Sequence, residues 1–217
     1  MQIVSALDGS LTSRDLEALN AAVKREELAV IPTDTVYGIA SVPFAPAAVE
    51  RLQSAKGRGE DFPPPVLISG TEELERLMAK PGSMGMSLSA FGAAKRLARA
   101  FWPGALTMIV KADSSLGWNL GATHGTIALR QPNHPVALEI LRHTGPLAVT
   151  SANKHTQPPA TNIDAAKAYF WDKVAVYVDA GESPSGRPST IVNLAGSEPS
   201  LVREGDIPYA DITAVLA

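Results

Sequence analysis

The chain repeatedly sets small hydroxyls and cations just past short apolar runs. Leu28-Ala29-Val30-Ile31 breaks at Pro32 and is followed by Thr33, Asp34, Thr35 and Tyr37. Lys56 and Arg58 end a helical stretch inside a glycine-containing loop, and Ser69 follows Val66-Leu67-Ile68. Thr126 opens and Arg130 closes another apolar run. Ser151 and Asn153 follow Leu147-Ala148-Val149, Ser189 precedes Thr190-Ile191-Val192, and Arg203 closes Leu201-Val202. Arginine offers a planar fork to phosphate or carboxylate, and lysine a mobile point charge. A charge that closes a buried strand is costly unless it meets a partner. In open α/β sheets, ligands bind in the crevice outside strand ends. The set suits a polyanionic ligand held by three arginines, a lysine and several hydroxyls.

The elements that must carry these groups follow from periodicity and punctuation. Thr12 or Ser13 caps a helix running to about Glu26, with Leu16, Leu19 and Val23 on one face. Leu28–Ile31 reads as a buried strand, after which Gly38 lets the chain turn away. Helices are expected over Ala47–Ala55, Thr71–Ala79, Phe91–Phe101, Val136–Arg142, Asp164–Phe170 and Ile207–Leu216. Further strands are expected at Val66–Ile68, Ala105–Lys111, Thr126–Arg130, Leu147–Val149, Val174–Val178, Thr190–Leu194 and Leu201–Arg203. Strands and helices mix without a repeating βαβ period, internal repeat or linker. The expectation is one α/β domain over 1–217, built on a twisted, open, mixed β-sheet with flanking helices.

Composition excludes several classes. With 45% hydrophobic residues in 217, a full core can form. The absence of cysteine removes disulfides, thiolate catalysis and cysteine-ligated zinc or iron-sulfur sites. The four histidines lack metal-ligand spacing and read as surface or capping residues, so no protein-held metal is expected. A net charge of -3 argues against general coating of nucleic acid, though not against a local basic groove. No signal peptide or membrane span is evident, which makes a cytoplasmic protein the expectation. Gly181–Pro188 looks superficially like a phosphate-binding P-loop, but Arg187 and Pro188 replace its lysine and hydroxyl, and a strand follows instead of a helix.

Seven segments, in order, resemble the YrdC-like family of L-threonylcarbamoyladenylate synthases. They begin with Pro32-Thr33-Asp34-Thr35-Val36-Tyr37-Gly38, Lys56-Gly57-Arg58 and Trp102-Pro103-Gly104-Ala105-Leu106-Thr107. They continue through 126–135, Thr150-Ser151-Ala152-Asn153, Ser189-Thr190-Ile191-Val192 and Leu201-Val202-Arg203-Glu204-Gly205. The resemblance covers about residues 12–208 and corresponds to the short, single-domain form. It implies a twisted open sheet around a large basic cavity. It also implies a nucleotidyl transfer in which L-threonine, bicarbonate or CO2, and ATP give threonylcarbamoyl-adenylate and pyrophosphate. Mg²⁺ is expected with ATP, and downstream proteins would transfer the threonylcarbamoyl group to tRNA.

By position, the resemblance implies L-threonine contacts from Thr33, Thr35, Ser69, Arg130, Ser189 and the Val149 backbone. It implies ATP contacts from Arg58, Thr126, Ser151 and Arg203, supported by Lys56 and Asn153; Lys56 and Arg58 are the expected catalytic cations. The carbamate nucleophile is already anionic, so adenylation asks for positioning and charge neutralisation rather than a triad. Several positions depart from the family pattern. Phe62-Pro63-Pro64-Pro65 replaces an Asn-Pro-Leu-like run and is two residues longer, and Ser69 stands where some members have histidine. Lys154-His155-Thr156 replaces Leu-Ser-Gly, Pro159 takes a serine position, and Pro188 stands for glutamate. The alternative is a binding module that uses the same cavity for tRNA or double-stranded RNA without turnover. A carbamoyl-adenylate domain for another substrate is a third possibility, less favoured without cysteines for zinc fingers.

Overall fold

The structure, a computed structural model, describes residues 1–217. Ten strands form one sheet. In chain order they are β1 (Gln2–Ser5), β2 (Ala29–Ile31), β3 (Gly38–Ser41), β4 (Val66–Leu67), β5 (Leu106–Lys111), β6 (Thr126–Arg130), β7 (Leu147–Ser151), β8 (Val176–Asp179), β9 (Thr190–Asn193) and β10 (Ser200–Arg203). Their spatial order is β1-β8-β2-β3-β7-β4-β6-β5-β9-β10. Four pairs are parallel (β1 with β8, β2 with β8, β4 with β6, β5 with β9) and five antiparallel, so the sheet is mixed, as expected.

Seven helices complete the fold: α1 (Ser13–Lys24), α2 (Pro46–Lys56), α3 (Thr71–Leu77), α4 (Leu88–Phe101), α5 (Pro135–Thr144), α6 (Ile163–Phe170) and α7 (Tyr209–Leu216). Thr12 caps α1 by accepting the Asp15 N–H, and Ser87 caps α4 by accepting that of Ala90. Both satisfy an N–H that the helix itself leaves unbonded. The sheet has two apolar faces because successive strand residues point to opposite sides. Leu28, Val30, Ile39, Leu129 and Val192 meet helices α2, α3, α4, α6 and α7. Ala29, Ile31, Ala40, Leu147 and Val176 meet α1 and α5 on the other side.

Two strands differ from the sequence reading. β1 was not expected; it is a largely exposed edge strand with only Val4 buried, so it carries no alternating pattern. β3 begins at Gly38, where a turn was expected. Gly38 instead pairs with Ile31 on β2 and Ser151 on β7. A Cβ there would lie 2.4 Å from Val149 Cγ1, so this glycine permits close strand approach rather than a reversal.

Candidate functional site

On the α1/α5 face, helices cover only half of the sheet. Over the other half, the same alternation points Leu67, Thr107, Ile109, Ala128, Arg130 and Val149 into a cavity of about 430 Å³. Loops form its walls: Thr33–Tyr37 after β2, the irregular segment from Arg58 to Pro65, Pro188-Ser189, and the end of β10. The volume lies within the range of small-molecule sites. Eight of the twelve residues picked out by sequence line it: Thr33, Thr35, Arg58, Arg130, Val149, Ser151, Ser189 and Arg203.

The Thr33–Tyr37 wall is organised by Thr33. Its hydroxyl donates to the Val36 carbonyl (2.6 Å) and accepts the backbone N–H groups of Thr35 and Val36. With the Thr33 proton committed, the 3.0 Å contact between the two threonine hydroxyls is donated by Thr35. Thr35 Oγ1 in turn accepts from Arg130 Nη1 at 2.9 Å. Below the loop, the buried Tyr37 hydroxyl donates to Gly181 O (2.7 Å) and accepts from Ala180 N (3.0 Å). Burial raises its pKa to about 12, so it remains a neutral clamp between β3 and the 180–188 loop.

Three guanidinium groups converge on the cavity in different electrostatic states. Arg130 is 5% exposed and commits three of its five N–H groups: Nε donates to Gly104 O (2.9 Å), Nη1 to Thr35, and Nη2 to Asp34 Oδ1 (2.6 Å). Burial lowers its pKa and the Asp34 carboxylate opposes that change. Arg203 has no carboxylate partner; Nε and Nη2 donate to Ser189 O at 3.2 and 2.7 Å. The residue is exposed on an exposed strand, yet desolvation of the guanidinium against the cavity wall lowers its pKa, as do the charges of Arg130 and Arg58. Arg58 also lacks a carboxylate partner, donating to His155 Nδ1 (3.2 Å) and Thr150 Oγ1 (3.4 Å). Its guanidinium carbon lies 5.3 Å from the Phe62 ring centroid. Ser189 Oγ is 2.9 Å from Thr107 Oγ1, which fixes it between β5 and β9.

Four expected site residues are placed elsewhere. Lys56 is 1% exposed and does not line the cavity. Its ammonium donates to Ser151 O, to Asn153 O at 2.7 Å and to Asn153 Oδ1 at 3.4 Å. Burial lowers its pKa to about 7, with Arg58 and Lys154 adding to the effect. Lys56 therefore holds the loop that presents Ser151. Asn153 spends its amide on the Lys154 and Gln157 carbonyls. Ser69 binds Glu73 through its backbone N–H (2.6 Å) and its hydroxyl (2.8 Å), at the start of α3. Thr126 donates to Thr123 O (2.7 Å) and lines a separate cavity of about 200 Å³ beside Trp118. Asp34, unassigned in sequence, proves to be the carboxylate partner of Arg130. Its only sequence signal was membership of the Thr-Asp-Thr run.

The family model covering Sua5, YciO and YrdC, described as telomere recombination, matches residues 21–205. The chain belongs to this family. A Mycobacterium tuberculosis protein provisionally named threonylcarbamoyl-AMP synthase is 44% identical over 209 residues, which is 96% of this chain and 92% of that one. The Bacillus subtilis threonylcarbamoyl-AMP synthase is 34% identical, covering 95% of this chain and 58% of its own length. Among solved structures, Pyrococcus abyssi Sua5 complexed with L-threonine superposes with a TM-score of 0.85 at 28% identity. That match covers 99% of this chain and 60% of the Sua5 chain. The family's mixed open sheet with flanking helices is therefore the fold of this chain.

Proposed function

We propose that this chain is a threonylcarbamoyl-AMP synthase that joins L-threonine, bicarbonate or CO2, and ATP, releasing pyrophosphate. The observation that carries the reading is one cavity lined by Arg58, Arg130 and Arg203, of which only Arg130 is paired with a carboxylate. Two cavity-lining guanidiniums without carboxylate partners are an arrangement that an anionic ligand stabilises. The relatives named for this activity and the threonine-bound Sua5 neighbour supply the substrate class.

In this reading, Arg130 and Thr35 receive the threonine carboxylate and hydroxyl, with Ser189 and the Val149 wall beside them. Arg58, Arg203 and Ser151 receive the nucleotide phosphates. A carbamate oxygen forms a bond to the α-phosphorus while the bond to the β-phosphate oxygen breaks, and pyrophosphate leaves. The protein brings two anions together and neutralises the charge that accumulates between them. The side chains do not fit a resident metal site, because no three His, Asp or Glu groups cluster. Magnesium enters the proposal only as part of the nucleotide substrate. The mixed anhydride product suits transfer by downstream tRNA-modifying proteins, and a cytoplasmic location accords with that role. No helix is long and apolar enough to cross a membrane.

Pyrophosphate release is to be measured with ATP, L-threonine and bicarbonate, leaving out each in turn. Release that depends on all three is expected. Release independent of threonine overturns the reading, and RNA binding without turnover would favour a binding module.

A further inference from the structure

Phe62 stands out at the cavity. It belongs to the segment Gly57–Pro65, which leaves α2 through Gly57 at φ 68° and runs into β4 through three prolines. Phe62 lines the cavity yet keeps 49% of its surface exposed. Water-facing phenyl surface is unfavourable, and this surface belongs to a cavity wall rather than to a scattered outer site. The ring is not loose. It lies 5.3 Å from the His155 ring at 50° and 5.3 Å from the Arg58 guanidinium carbon. His155 Nδ1 accepts from Arg58 Nε, so the three side chains brace one another.

This places an aromatic surface beside a cavity-lining guanidinium that has no carboxylate partner. A nucleotide carries the complementary pair, a flat base and an anionic phosphate joined through one ribose. We propose that Phe62 is the nucleobase-stacking residue of the nucleotide site, with Arg58 receiving phosphate next to it. The assignment rests on the adenylation reading above and adds the position of the base. The family's Asn-Pro-Leu-like run is replaced here by Phe62-Pro63-Pro64-Pro65. At that place in the chain a phenyl ring lines the cavity wall. Stacking tolerates any purine, so adenine and guanine should be weakly discriminated at this contact.

The test is calorimetric binding of ATP and of inorganic triphosphate to the wild type, Phe62→Ala and Phe62→Trp, without threonine. Wild type should bind ATP more tightly than triphosphate. Phe62→Ala should weaken ATP binding about tenfold, the scale of one base stack, and leave triphosphate binding unchanged. Phe62→Trp should restore ATP binding. Unchanged ATP affinity in Phe62→Ala overturns the proposal. Equal losses for ATP and triphosphate overturn it too, because Phe62 would then act only by bracing Arg58. ATP binding by the wild type without threonine-dependent turnover would sink the adenylation reading while leaving the stacking result interpretable.

Discussion

Asp34 Oδ1 lies 2.6 Å from Arg130 Nη2, joining the loop after β2 to the end of β6 across 96 positions of sequence. Both side chains are largely buried, at 14% and 7% exposure. Arg130 also donates to Thr35, so this ion pair sets the guanidinium against the wall expected to meet threonine. Removing one partner leaves a buried charge uncompensated. Asp34→Asn should lose about 3 kcal/mol of stability in urea unfolding, the usual scale for a broken buried pair. Asp34→Asn with Arg130→Met should recover part of that loss without recovering activity. Additive losses in the double mutant would show that the pair is not coupled.

Arg58 and Arg203 should behave in the opposite way. Neither has a carboxylate partner, and Arg203 is disfavoured by the charges of Arg130 and Arg58. Their removal relieves repulsion. Arg58→Ala and Arg203→Ala should keep their melting temperatures within a few degrees, yet each should lose about 100-fold or more in kcat/KM for ATP, as for a lost charge-stabilising donor. Near-normal turnover in both variants would mean that the phosphates bind elsewhere.

Lys56 carries a pH signature. Its folded pKa is brought down from 10.5 to about 7, chiefly by burial. Between those values the unfolded chain holds a proton that the folded chain has released, so stability should rise with pH. Below about 7 both states are protonated and the cost of burying the charge is fully felt. Urea midpoints at pH 7 and 9 should therefore rise in the wild type, and the rise should shrink in Lys56→Met. An identical rise in both proteins would exclude Lys56 as its source. Lys56→Met also frees the Ser151 and Asn153 carbonyls, so KM for ATP should increase through loss of loop position.

Gly38 can be tested by paired substitution. Gly38→Ala drives a Cβ to 2.4 Å from Val149 Cγ1, and overpacking of this kind costs about 1–3 kcal/mol. Because both residues line the cavity, KM for threonine should rise as well. Gly38→Ala with Val149→Ala should regain much of the stability. No loss in the single variant would show that β3 and β7 can separate at this point.

Much was legible along the chain because short-range chemistry writes it there. The Thr12 cap, the stop of α4 before Pro103, and strands β5 and β6 follow from capping, proline geometry and apolar periodicity. The order of the seven motifs marked the family, and residue type alone marked arginine and threonine as ligand-binding candidates. Local pattern could not reveal β1, an exposed edge, or β3, whose Gly-Ile-Ala-Ser reads as a turn.

Which of the marked residues are free to act was decided only by tertiary structure. Sheet order brings Asp34 to Arg130 and seals Lys56 beneath the Ser151 loop. Ser69, Thr126 and Asn153 are spent on neighbouring backbone or side-chain groups, while Arg58 and Arg203 remain without carboxylates. A side chain's type is local, but its hydrogen-bond partners and desolvation depend on residues far along the chain. Those two quantities determine whether a cation is a ligand-binding group or a brace.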